Sequence, residues 1–448
     1  MDKAQGKALR EKLPRSQQGA WAVKPGREEV LSILSDQEQG RLSELLPLRH
    51  ARMAASPFAF YRGSAALMAA DLATLPTTGI SVQLCGDAHI ANFGGFRSLE
   101  SHLVFDINDF DETLPGPWEW DVKRMATSVE ICGRQRGFGH RWRRRAVKGA
   151  VKSYREAMRE FAQRSALAVW RRYIDLNDTL RQVRKTVRGS DRKAIARQLE
   201  AAYGKNNATA FERLVRVSDG VPKMVYDPPS IVPLEQFFSG DGAKRLRDAM
   251  EALLVSYRAS LPPEYLHLFD QYRFLDGAMK VVGVGSVGMR AWVAALTDKQ
   301  TGHPLVLQMK QARASVLEPF CGASAFPNSG QRVICGQRLM QSTPDRFLGW
   351  ARLTADDGTV RDYYVRQLWN WKMSIDYAKA SASQIEMVAQ LCGWTLARAH
   401  ARSGDRGAIA AYIGAADTFD NAIADFARAY ARQNEEDYQV FLKSLDIS

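Results

Sequence analysis

The sequence predicts an α+β protein, a largely helical body with a β-rich module of about 100 residues set late in the chain. Three observations predict it. Apolar residues recur at helical spacing over 30–75, most of 118–270 and everything after about 382. Alternating apolar and polar residues, punctuated by glycines, mark 272–310 and return in FLGWARL and DYYVRQLWNW. A shorter alternating patch with Gly, Asn and Asp between its segments sits at 81–111, inside the helical part.

Composition narrows the class. The 448 residues hold 62 Lys+Arg against 49 Asp+Glu, a net charge of +13, with 46% apolar and 25% charged residues. Ten Trp, nineteen Phe and fourteen Tyr supply core material, which excludes a disordered chain. No apolar run approaches the ~18 residues of a membrane span, and the polar N-terminus has no apolar signal region. Cys85, Cys132, Cys321, Cys335 and Cys392 are odd in number and scattered, so they suit neither a disulfide framework nor a zinc site. A cytoplasmic location is expected.

In chain order, residues 1–30 read as a flexible basic arm and 31–270 as a helical part, interrupted by the loop-like VSDGVPKMVYDPPSIVP. Residues 271–372 form the β-rich part, with a helix near GQRVICGQRLMQ, and 373–448 return to helix. The charge excess concentrates between Arg134 and Arg155, which hold nine Lys/Arg and no acid. Trp142, Ala146, Val147, Ala150, Val151, Tyr154, Met158 and Phe161 follow helical spacing there, which puts the cations on the opposite face. Such a face either binds nucleic acid or another anionic ligand, or, more commonly, is simply solvated.

Acid concentrates instead at 87–112. Asp87, His89, Asn92, Asp106 and Asp109, followed by Asp111 and Glu112, would repel one another unless a cation or hydrogen-bond donors compensate. Asp and Asn oxygens suit hard divalent cations that also hold substrate phosphates. One Asp that accepts a hydroxyl proton, with an Asn and a second Asp on metal, is a phosphoryl-transfer layout. Single residues of this kind equally cap turns. His89 either contacts phosphate or is a structural imidazole, the commoner case.

Gly283, Gly285 and Gly288 fit G-x-G-x-x-G, with Ser286 inside the motif. The residues that follow read as a hairpin rather than a helix, which suits a loop folded over phosphates between antiparallel strands. Lys310 ends the next strand, where it can bridge phosphates.

Both clusters resemble the protein-kinase-like superfamily, especially its aminoglycoside-phosphotransferase branch. Cys85-Gly86-Asp87 and Asn92 match the catalytic loop, with Cys85 in place of its His. Ile107-Asn108-Asp109-Phe110-Asp111 matches the metal-binding strand, with Asp111 where glycine is usual. GPWEWDVKRMA resembles the following helix start and makes Asp121 a support beneath the catalytic loop. Gly283, Gly285, Gly288 and Lys310 match the glycine loop and its lysine, and Tyr363–Trp371 the hinge strand. The acidic partner of Lys310 is open between Glu318 and a residue of the next helix, where Gln331 and Gln337 stand. The order is reversed, with the glycine loop about 200 residues after the catalytic loop. Either the fold is circularly permuted or the glycine motif is coincidental.

SPFAFYRG, LCGDAHIANFG, VFDINDFDETLPGPWEWDVKR, VVGVGSVG and LCGWTLARAHARSGD also resemble a bacterial family known as domain of unknown function 2252. The resemblance implies a bilobal kinase-like fold with a helical C-lobe first and an antiparallel N-lobe after. It further implies an ATP/Mg2+-dependent phosphotransferase with Asp87 as base, Asn92 and Asp109 on Mg2+, and the glycine loop with Lys310 on ATP. The acceptor is undefined, and the basic surface suggests an anionic one. The alternatives are a non-catalytic nucleotide-binding pseudokinase, an AMP-transferring relative and, further off, a nucleic-acid-binding protein.

Overall fold

The computed structural model describes residues 3–98, 100–179, 207–218, 221–228, 230–233, 241–281, 285, 287–354, 358–368, 373 and 375–446. The protein is α+β, and every strand pair in it is antiparallel.

In the helical part, β1 (Ser81–Leu84) pairs with β4 (Leu114–Pro117), and between them β2 (Phe93–Arg97) pairs with β3 (Leu103–Ile107). Short β5 (Ile174–Asp175) adds to β3. Helix Trp118–Gln135 follows β4 directly and is buried along most of its length by helices His140–Phe161, Ala382–Ser403 and Thr418–Ser444. A Cβ at Gly393 would lie 2.1 Å from the Ala150 carbonyl oxygen, so glycine is what lets Ala382–Ser403 approach His140–Phe161 so closely. The main core, with Trp118, Met125, Tyr154, Leu396 and Phe426 among its members, lies here.

The expected loop at 217–233 is instead strand-bearing. Val215–Ser218 (β6) and Val221–Met224 (β7) form a hairpin, and Ile231–Pro233 (β8) joins the edge of the large sheet. Asp276 accepts the Met224 amide at 2.8 Å, a tertiary tie that local polarity does not reveal. The large sheet continues with β9 (Tyr272–Lys280), β10 (Ala291–Asp298), β11 (Pro304–Ala312), β12 (Gly349–Thr354) and β13 (Val360–Gln367), in the order β12-β13-β11-β10-β9-β8. Helix Asp241–Arg258 covers one face, packing Met250, Leu253 and Tyr257 onto Leu305, Leu307, Met309 and Val365. The two-residue period of β11 then sends Gln308 and Lys310 to the opposite face. Helix Ser329–Met340, N-capped by Asn328 onto the Gln331 amide at 3.0 Å, lies against β12 and β13.

Two expectations of surface charge are corrected. Residues 3–30 are a docked segment rather than a flexible arm. Arg10 and Arg15 donate to the carbonyl oxygens of Ala411 and Ile413 at 2.6 and 2.7 Å, at the C-terminal end of helix Arg406–Ile413. Leu13 beside them is buried. The cationic face of His140–Phe161 is largely ion-paired rather than merely solvated. Arg143 meets Glu130 at 2.9 Å, Arg145 meets Glu386 at 2.6 Å, Lys148 meets Asp417 at 3.1 Å, Arg155 meets Asp420 at 2.9 Å, and Arg144 pairs with Asp425. No helix among the described residues is long and apolar enough to cross a membrane.

Candidate active site

Strand β1 delivers the chain to a turn at Cys85–Asn92. Gly86 takes φ +84°, and a Cβ there would sit 2.3 Å from the Glu112 carbonyl oxygen, so this position requires glycine. Asp121, fully buried in the first turn of Trp118–Gln135, holds the turn from below. Its carboxylate accepts the Cys85 amide at 2.7 Å and the Gly86 amide at 3.0 Å. His400 Nε2 lies 3.2 Å from the same carboxylate, and Tyr154 OH is 2.9 Å from His400 Nδ1.

The next two elements bring the metal-type residues together. The Asn92 side-chain amide donates to the Asp87 carbonyl oxygen at 2.8 Å, which leaves its amide oxygen as the end suited to a cation. The Asn108 amide donates to the Asn92 carbonyl oxygen at 2.8 Å and so ties the end of β3 to the turn. Asp109 follows immediately, and its Oδ1 is buried without a hydrogen-bond partner among the described residues. Burial, with Asp111 beside it, pushes the Asp109 pKa up, while Lys310 and Arg366 oppose the shift.

Asp87 has two unlike oxygens. Oδ1 takes Arg124 Nε at 2.8 Å and Nη2 at 2.7 Å. Oδ2 lies 3.5 Å from His89 Nε2, and the side chain stays 18% exposed. Burial raises the Asp87 pKa and Arg124 opposes that rise. His89 is buried, its Nδ1 has no hydrogen-bond partner among the described residues, and burial together with Arg62 and Arg124 holds its pKa well down.

Lys310 is buried and pairs with Asp111. Burial would lower its pKa, but Asp109 and Asp111 overcome that and raise it. Glu318 is therefore not its partner. Glu318 accepts the Ser315 amide at 3.1 Å and lies 4.0 Å from Arg332. Helix Ser329–Met340 presents Arg332 and Gln337 instead of an acid, and Arg332 donates to the carbonyl oxygens of Thr113, Asp111 and Arg313 at 2.6, 2.8 and 2.8 Å.

Asp87, His89, Asn92, Asp109, Asp111, Gly285 and Lys310 line one cavity of about 710 Å3 between the large sheet and the helical part. Gly288 sits beyond it, against the side chain of Arg41. Gly283, Ser286 and residues 369–372 of the expected hinge strand lie outside the described residues. Asp106 supports the site from outside the cavity lining. Fully buried, it accepts Arg398 at 2.6 Å and the Ser342 amide and hydroxyl at 2.8 and 2.7 Å, fastening β3 to Ala382–Ser403.

Sequence reasoning passed over several cations. Arg124 stands one helical turn after Asp121, a spacing that places both beneath the loop and could have flagged it. Arg62, within SPFAFYRG, lines the cavity with a buried Nε that has no hydrogen-bond partner among the described residues. Arg366 donates to the Asn108 carbonyl oxygen at 2.9 Å, and its pKa is raised because Tyr364, Asp109 and Asp111 outweigh its burial.

No curated protein and no solved structure matches the chain. A family profile described as "Uncharacterized protein conserved in bacteria", DUF2252, matches residues 41–444, a span that includes every site residue named above. The chain belongs to this family.

Proposed function

We propose that the chain is an ATP/Mg2+-dependent phosphotransferase of kinase-like architecture with its lobes in permuted order. The observation that carries this reading is the convergence of Asp87, Asn92, Asp109 and Lys310 on one cavity, although Lys310 and Asp111 stand 199 residues apart in sequence. The sheet supports it too. A hairpin carrying a glycine loop (β9, β10), a lysine strand (β11), a helix (Ser329–Met340) and two further strands give the order β9-β10-β11-β13-β12, the arrangement expected of a nucleotide-binding lobe.

The residues fit the cofactor. Mg2+ needs only one or two protein oxygen ligands when phosphates supply the rest, and Asn92 with the unpartnered Asp109 Oδ1 provides them. When bound, Mg2+ neutralises charge on the transferring phosphates. Lys310 offers a buried ammonium to those phosphates, exchanging Asp111 for them. Arg124 fixes Asp87 through Oδ1 and leaves Oδ2 to accept the proton of an acceptor hydroxyl. The acceptor oxygen bonds to the γ-phosphorus, the bridging P–O bond breaks, and its electron pair leaves with ADP.

The nucleic-acid reading loses support, because its basic face is already paired with Glu130, Glu386, Asp417, Asp420 and Asp425. The test is incubation of the full chain with Mg2+ and γ-labelled or α-labelled ATP against a panel of small hydroxyl compounds. Transfer of the γ label, lost in both Asp87→Asn and Asp109→Asn, is expected. Transfer of the α label indicates AMP transfer. Turnover that survives both substitutions sinks the site assignment.

A further inference from the structure

Gly288, the third glycine of the loop, lies outside the lining of the large cavity, and the chain far upstream accounts for it. It takes φ +86°, the left-handed conformation that favours glycine, and a Cβ there would lie 3.0 Å from the Cβ of Arg41. In that conformation its carbonyl oxygen accepts the Leu42 amide at 2.8 Å. Arg41 Nη1 donates to the Val287 carbonyl oxygen at 2.6 Å, across 246 positions of sequence. Arg49, fully buried in helix Leu46–Ala54, donates through Nη1 to the Gly285 carbonyl oxygen at 3.4 Å. Three carbonyl groups of the glycine loop thus point at one segment.

That segment, 37–49, is fastened to both parts of the molecule. On the sheet side, Arg313 donates to the Gln37 carbonyl oxygen at 3.3 Å and Arg290 to that of Gly40 at 3.5 Å. On the helical side, Arg49 Nη2 donates to the Gly63 carbonyl oxygen at 2.8 Å, at the end of helix Pro57–Gly63. Arg49 Nε and His50 Nε2 reach one oxygen of Glu38 at 3.3 and 2.8 Å. Because the peptide unit is planar, a pinned carbonyl fixes the direction of the chain as well as its distance. Gly285 lines the large cavity two residues before the pinned Val287, so the segment sets where the loop lies over that cavity.

We propose that segment 37–49 is a strap that positions the glycine loop for Mg–ATP, with Arg41 and Arg49 as positioning residues that touch the loop rather than the nucleotide. In naming the nucleotide, the proposal rests on the phosphotransferase reading. Glycine loses more backbone freedom on ordering than any other residue, so a loop rich in it is expensive to fix. The strap fixes it in advance, and nucleotide binding does not bear that entropy. The coupling is reciprocal, so bound nucleotide tightens the strap.

Calorimetric titration with Mg–ATP and hydrogen exchange at the Leu42 amide, both on the full chain, test this. Arg41→Met keeps an apolar stem beside Gly288 and removes the donor to Val287. It is expected to weaken Mg–ATP about tenfold and to speed Leu42 exchange by about tenfold, with the Val293 amide of β10 unchanged. In the unaltered chain, saturating Mg–ATP should slow Leu42 exchange. Arg49→Lys keeps a cation beside Glu38 but cannot fork to both Gly63 and Gly285. It should act in the same direction, and it carries the test if Arg41→Met fails to fold. Unchanged Mg–ATP affinity in the variants, equal acceleration at Val293, or Leu42 exchange indifferent to Mg–ATP overturns the proposal. No Mg–ATP binding to the unaltered chain up to about 10 mM sinks the phosphotransferase reading instead. Faster Leu42 exchange in Arg41→Met then leaves the strap standing as an anchor of the loop alone.

Discussion

Asp121→Asn removes one charge and one acceptor from beneath the 85–92 turn while preserving the volume of the side chain. The carboxylate accepts two backbone amides, from fully buried Cys85 at 2.7 Å and from part-buried Gly86 at 3.0 Å. An asparagine offers one oxygen and one NH2, so whichever way it turns, one loop N–H faces another donor. Hydrogen bonds to charged groups contribute about 1.5–3 kcal/mol each, and the surviving bond becomes a neutral one. The local opening free energy of the turn should therefore fall by about 2–3 kcal/mol, on the order of a 30- to 150-fold loss of exchange protection. Hydrogen exchange on the full chain reads this directly at the Cys85 and Gly86 amides, with the Val293 amide of β10 as an internal reference. Unchanged protection at Cys85 and Gly86 refutes the support role. An equal loss at Val293 also refutes it, because the effect would then be global rather than seated under the turn.

Gly86→Ala should destabilise by at least about 2 kcal/mol, because an alanine pays the left-handed backbone penalty and meets the Glu112 carbonyl; an unchanged urea midpoint would contradict this. Lys310→Met removes the ammonium that pairs with Asp111, leaves Arg366 as the remaining cation near Asp109 and Asp111, and should cost up to about 3 kcal/mol. Adding Asp111→Asn should recover part of that loss, whereas strictly additive effects would show that the pair is not coupled. Lys123 is buried beside Glu119 and its pKa is pushed down to about 8, with burial outweighing the attraction of Glu119. The unfolded chain keeps that proton up to about pH 10.5, so between those values the unfolded state binds the extra proton and stability rises with pH. Lys123→Met should flatten the rise and raise the melting temperature at pH 7; a steeper pH profile in the variant would be the wrong sign.

The turn at 85–92 and the strand end at 107–111 were legible because their glycine, Asp and Asn residues sit within 27 positions of one another and carry local turn chemistry. Lys310 was legible because strand alternation fixes its face. What the sequence concealed lies at long range. Lys310 finds its acid in Asp111 rather than in nearby Glu318, since the alternating face of β11 looks across the cavity and not along the chain. The basic helix looked solvated because its partners Glu386, Asp417, Asp420 and Asp425 follow more than 200 residues later. The basic N-terminus looked loose because its arginines bond to carbonyl groups, which carry no signature in composition. The pairing of β6 with β7 was hidden by Pro222 within the second strand, which argues against a strand when read alone.

The buried supports of the site have a consequence for biosynthesis. Asp106 and Asp121 rest on Arg398 and His400, residues 292 and 279 positions further along the chain. A ribosome that has passed Asp121 has already made Asp87, Asp109, Asp111 and Glu112 of the cavity, but the groups that seat the buried supports Asp106 and Asp121 come much later. At about 5–20 residues per second the interval is roughly 15–55 s. Throughout it the nascent acidic segment is a motif without its foundation. Completion of the site is thus a late event of synthesis, set by the arrival of helix Ala382–Ser403, and chains stalled before residue 398 should expose the 85–111 segment to proteases that the finished protein resists.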